Sequence, residues 1–113
     1  FFVNFEQLTI RSEADIAEIA TKFEEALGPI GRKVYAVVNY AGFTIPQDLL
    51  DAYTDMVEKV VARHYLDVTR YSTSGFLRMK LGDALSRRGV APHIYVSAEE
   101  ALAHLGEAGN QPA

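Results

Sequence analysis

The stretch "RYSTSG", Arg70 to Gly75, holds the densest set of side chains that could do chemistry. Three consecutive hydroxyls, Ser72, Thr73 and Ser74, stand before Gly75 and a run with helical spacing. Hydroxyls in this position cap the first free N–H groups of a helix, and a glycine there removes bulk where the chain turns sharply. The same N–H groups, with Arg70 close by, would also hold an anion or stabilise a phosphorylated serine. Capping, by Ser72 and Thr73 with Ser74 just inside the helix, explains the residue types without any ligand and is the favoured reading. The phosphate-cradling pattern G-x-x-x-x-G-K-[ST] does not occur. A second stretch, "NYAGFTI", supplies Asn39, Tyr40 and Gly42, an amide and a phenol that could line the same edge. Asn and Gly are also the usual turn formers, and the turn is favoured.

The other reactive side chains form no pattern. His64, His93 and His104 lack metal-ligand spacing, so no metal site is expected. His64 falls on an apolar stripe and reads as a partly buried helix residue, whereas for His93 a structural and a functional reading both stand. No Ser-His-Asp set or carboxylate pair can be argued from spacing, and no catalytic residue is assigned. Arg70, Arg78, Lys80, Arg87 and Arg88 crowd around one helix, with only Asp67 and Asp83 nearby. A solvated face is the default for such a run, its last pair answering the helix dipole. A docking face for an acidic partner or a phosphorylated ligand is the functional alternative. Cysteine is absent, which excludes disulfides and thiolate chemistry together and suits a reducing, cytoplasmic setting.

The elements that must position these residues can be read in order. "FFVNF" is apolar and β-prone. Ser12 opens a helix with Ile16, Ile19, Ala20, Phe23 and Leu27 at helical spacing, and Gly28-Pro29 ends it. "KVYAVVNY" has the valine-rich character of a strand covered on both faces. Pro46 starts a second helix, whose inward stripe is Leu50, Tyr53, Val57, Val60, Val61 and His64. "LDVTRY" is a third strand, followed by a helix carrying Phe76, Leu77, Leu81 and Leu85 that stops at Gly89. "HIYV" is a fourth strand, and Ser97-Ala98-Glu99-Glu100 is a capping box opening a last helix.

Strands alternating with helices predict an α/β fold with a four-stranded, largely parallel sheet. Ligands of such sheets gather at the carboxyl ends of the strands, where "NYAGFTI" and "RYSTSG" would lie side by side. Residues 1–105 form one domain, and 106–113 read as a flexible tail. At 113 residues, 49% hydrophobic and 23% charged, the chain has the composition of a single globular domain. A net charge of −4 argues against nucleic acid as a partner, because phosphate binders carry a basic excess. No apolar run is long enough to cross a membrane, and no signal-peptide pattern is present. The start without Met, directly inside an apolar strand, reads as a cut within a longer polypeptide.

Two resemblances follow from particular stretches. "LDVTRYSTSGFLRMKLGDALSRRG" resembles the strand, serine-rich turn and helix of STAS domains, the group that contains bacterial anti-sigma-factor antagonists. Their turn carries a phosphorylatable serine that corresponds to Ser74, but the acidic residue of the turn is replaced here by Ser72. "FVNFEQLTIRS", "GRKVYAVVNYAGFTI", "VTRYSTSGFLRMKLGDAL" and "RGVAPHIYVSAEEA" resemble the C-terminal extension of long bacterial acyl-CoA:acetate/3-ketoacid CoA-transferases, related to propionate CoA-transferase. That resemblance implies a parent enzyme moving CoA between carboxylic acids, with CoA thioesters as substrates and a catalytic glutamate outside this segment. It implies for residues 1–113 a non-catalytic accessory role in assembly or regulation, with no cofactor of their own and the transferase body of the same polypeptide as partner. A homo-oligomer is compatible with it. The alternative is a free-standing STAS-type regulator switched by phosphorylation in the Ser72-Gly75 turn.

Overall fold

The computed structural model describes residues 1–109. Three parallel strands, β1 (Phe2–Asn4), β2 (Val34–Asn39) and β3 (Tyr65–Tyr71), form a sheet in the order β1-β2-β3. Helix α1 (Glu13–Leu27) links β1 to β2, and α2 (Leu50–His64) links β2 to β3. Helices α3 (Gly75–Arg87) and α4 (Ala98–Gly109) follow. The tail expected from residue 106 lies, beyond Gly109, outside the described residues. No helix among the described residues is long and apolar enough to cross a membrane.

Alternation along the strands sorts side chains between the two faces. Ala36, Val38 and Val68 join Phe23 of α1 and Met56, Val57 and Val60 of α2 in the core. On the opposite face, Asp67 meets α4 through His104. A bulge between Val34 and Tyr35 shifts the β2–β3 register, so that Val34 pairs with Tyr65 but Tyr35 with Asp67. Leu66 is thereby left unpaired and exposed. Helix α3 packs beside α2 through Leu77, Leu81, Ala84 and Leu85.

The expected fourth strand is not formed. "HIYV" makes a single parallel bridge, Tyr71 to Tyr95, with Tyr95 N–H donating to Arg70 O at 2.7 Å and Ser72 N–H donating to Tyr95 O at 2.9 Å. Further back along the same edge of β3, Val68 N–H turns to the Asp67 carboxylate at 2.8 Å. Pro92, which has no N–H for a ladder, and the Ser97 cap bound the segment on either side. The sheet therefore has three strands, all parallel, with Ile94 buried beside its edge.

Phe76 also departs from expectation. It lies on the outer side of α3, 69% exposed, while Leu77 takes the inward position. Helical geometry cannot turn adjacent residues to the same face, and Leu77, Leu81 and Leu85 define the buried one. Half of the capping box expected at α4 forms: Glu100 N–H donates to Ser97 Oγ at 3.3 Å, while the Glu100 carboxylate accepts one residue before the cap, from Val96 N–H at 3.4 Å.

Candidate functional site

The two loops singled out in the sequence are neighbours, because β2 and β3 are adjacent and parallel. Tyr40 N–H donates to Tyr71 O at 2.9 Å, extending the ladder into the loops. The segment after β1 joins them, with Ile10 N–H donating to Thr44 O and Thr44 N–H to Leu8 O, each at 3.0 Å. The carboxyl end of the sheet is thus a tied surface of three segments.

Within "RYSTSG" the cap is not Ser72 or Thr73, as the sequence suggested, because the helix begins one residue later, at Gly75. Ser74 is the N-cap of α3: its backbone is extended and its Oγ accepts from Leu77 N–H at 3.1 Å. Ser72 is fully buried, and its Oγ accepts from Ser74 N–H at 3.2 Å, bracing the cap from behind. Thr73 is exposed at the turn. Gly75 adopts no left-handed conformation, and a Cβ there would meet only Arg78 Nη2 at an ordinary 3.5 Å, so the turn does not need its lack of bulk.

Arg70 does not stand over this helix end. It is 1% exposed, on the α1–α2 side of β3, where Nη1 donates to Ala91 O at 2.9 Å and Nη2 has no partner. The cation beside the turn is Arg78, whose Nη1 donates to Ser72 O at 2.8 Å. The rest of the basic run is also engaged within the fold. Lys80 donates to Ile45 O at 3.3 Å and lies over the Phe76 ring, and Arg87 pairs with Asp83 at 2.6 Å. Arg88, read from sequence as answering the dipole of its own helix, reaches across to α2. There it contacts Asp51 at 2.7 Å, Asp55 at 3.1 Å and Glu58 at 3.4 Å, and donates to Thr54 Oγ1 at 3.0 Å. These contacts raise the Arg88 guanidinium pKa further and, with Lys59 as the larger influence, hold the Asp55 carboxyl low.

Asn39 and Gly42 are turn residues. Asn39 Oδ1 accepts from Ala41 N–H at 2.9 Å, and its amide donates to Asn4 Oδ1 at 3.3 Å. Gly42 has φ of 68°, and a Cβ there would fall within 2.5 Å of the Gln7 side chain. Tyr40 turns inward rather than lining the edge. Its hydroxyl shares a 2.7 Å hydrogen bond with that of Tyr53, and both rings are buried. Burial raises the pKa of both phenols, and the nearby Arg70 cation pulls the other way. Phe43 and Phe5 pack around Tyr40, with ring centroids 5.0 and 5.8 Å away.

Two polar groupings were not visible in the sequence. Arg70, Tyr40, Tyr53 and Tyr65 meet at a cavity of about 20 Å³ inside the core. On the other side of the sheet, Asp67, His104 and Tyr95 form a chain. His104 Nε2 is 3.1 Å from Asp67 Oδ2, and His104 Nδ1 is 3.1 Å from the Tyr95 hydroxyl. His93 stacks edge-on against Tyr95, at a centroid distance of 4.3 Å. No spacing rule joins residues from β3, the Tyr95 bridge and α4; only their shared place at one sheet edge could have revealed them. His64, as expected, is a half-buried helix residue, held by Glu24 at 2.9 Å. That bond lowers the Glu24 carboxyl pKa. Among the described residues, no three His, Asp or Glu side chains gather as a metal site.

Comparison of the chain with known protein families, curated proteins and solved structures finds no match.

Proposed function

We propose that the chain is a non-catalytic accessory module of an acyl-CoA:carboxylate CoA-transferase, docked through α3 on the transferase body of the same polypeptide. The observation that carries the reading is the outer face of α3, where Phe76 and Met79 are 69% and 68% exposed. Two large apolar side chains close together on one helix face suit contact with another protein surface. The polar groups of the neighbouring turn are meanwhile engaged in the fold, through the Ser74 cap and the Arg78 bond to Ser72 O. The stretches that resemble the transferase extension run through β1, β2, β3 and α3.

The test compares CoA transfer by the polypeptide carrying this segment with transfer by the same polypeptide lacking it, and by the 113-residue chain alone. The chain alone is expected to transfer no CoA. The double substitution Phe76→Ser and Met79→Ser is expected to weaken association with the transferase body while leaving the melt of the isolated chain unchanged. Acyl-CoA turnover by the isolated chain, or undiminished association of the double variant, would overturn the reading.

One observation favours a second reading, a STAS-type switch at Ser74. This hydroxyl is exposed at the start of a helix, with the Arg78 guanidinium beside it. A phosphate there would meet free N–H groups and a cation. On that reading Ser74→Asp, which keeps the cap and hence the melt, abolishes a binding partner; on the accessory reading it changes neither.

A further inference from the structure

We propose that the core cavity beneath the sheet, between Arg70 and the phenols of Tyr40, Tyr53 and Tyr65, binds a single halide ion, chloride under ordinary conditions. The first argument is charge. A guanidinium is a cation, and Arg70 is 1% exposed with no carboxylate within 4.0 Å among the described residues. Its one hydrogen bond goes to a neutral carbonyl, Ala91 O, and Nη2 is left without any acceptor. A buried cation without a counter-charge is strongly disfavoured, so a neutralising anion gains more here than at the surface.

The second argument is the kind of group the cavity lacks. Tyr40 and Tyr53 share one hydrogen bond but carry two hydroxyl protons, so one donor remains beyond that bond. That proton and Arg70 Nη2 both call for an acceptor, and the free hydroxyl lone pairs, being neutral, cannot balance the guanidinium charge. Much of the remaining wall is apolar, Val38 and Met56 among it. A water would leave the guanidinium charge unbalanced. A halide accepts only. Size narrows the choice, because about 20 Å³ admits one atom-sized ligand and excludes sulfate or phosphate.

The ion stabilises the folded state by mass action, since the unfolded chain does not assemble the site. Once chloride exceeds its dissociation constant, each tenfold rise at constant ionic strength, with gluconate as the replacing anion, is expected to raise Tm by about 5 °C. Arg70→Met is expected to abolish the difference between chloride and gluconate. Because that variant removes a buried side chain and can fail to fold, a second measurement uses the unaltered chain. Crystals grown in bromide are expected to show one anomalous peak between Arg70 Nη2 and the Tyr40–Tyr53 hydroxyls. Equal melting in chloride and gluconate, a water or nothing at that position, or a bromide peak elsewhere only would each overturn the proposal.

Discussion

Alanine at Ser74 is expected to destabilise the domain by about 1 kcal/mol, the usual cost of losing a side-chain N-cap. The bond removed is the one from Leu77 N–H to Ser74 Oγ, 3.1 Å long. Leu77 is itself buried against the core, so α3 cannot fray there without withdrawing a packed side chain. The effect should appear as a fall in Tm of about 4–6 °C, and as a lower urea midpoint with an unchanged denaturant slope. Two controls isolate the cap. Thr73→Ala, at an exposed position, should stay within about 0.5 kcal/mol of the parent. Ser74→Asp should do the same, because a carboxylate caps as well as a hydroxyl and meets the positive end of the helix. Hydrogen exchange should quicken at Leu77 in the alanine variant before it quickens elsewhere. A larger loss from Thr73→Ala than from Ser74→Ala would refute the assignment of the cap.

The two glycines of α3 should respond in opposite ways. Gly82→Ala sets a Cβ 3.0 Å from Pro92 O and should cost about 1–3 kcal/mol in equilibrium unfolding, whereas Gly75→Ala should be neutral or stabilise by up to about 1 kcal/mol; equal effects would contradict the packing of Pro92 on α3. Burial raises the pKa of Tyr40, Tyr53 and Tyr65. Groups raised in this way stabilise the fold fully below the unfolded tyrosine value of about 10 and lose that contribution as pH climbs through the folded values. Phenolate absorbance from these three should therefore appear together with loss of the circular dichroism signal, and their ionisation in an intact fold would refute the burial. Truncation before Ala91 removes the Tyr95 bridge, Ile94 and α4, including the fully buried Ala101; it should abolish the cooperative melt, and a sharp transition in the truncated chain would count against that packing.

Local chemistry determined much of the fold from the residues alone. The helical spacing of Ile16, Phe23 and Leu27, the valine run of β2, and the Gly89 stop, with φ of 71°, each act within a few residues and stand where the sequence placed them. The adjacency of the two loops followed as well, since neighbouring parallel strands bring their carboxyl ends together. Tertiary structure decided the rest. Whether "HIYV" pairs depends on how the chain after α3 meets the β3 edge, where only Tyr95 bridges, to Tyr71. Which hydroxyl caps α3 depends on the residue at which the helix begins. The destinations of Arg70 and Arg88 were hidden for a related reason: a long flexible side chain reaches several ångströms in any direction, and its partner is set by which element packs opposite. The partners here, Ala91 for one and Asp51, Asp55 and Glu58 for the other, lie 21 residues or more away along the chain. Periodicity reports which face a residue occupies, but it carries no information about what the fold brings to that face.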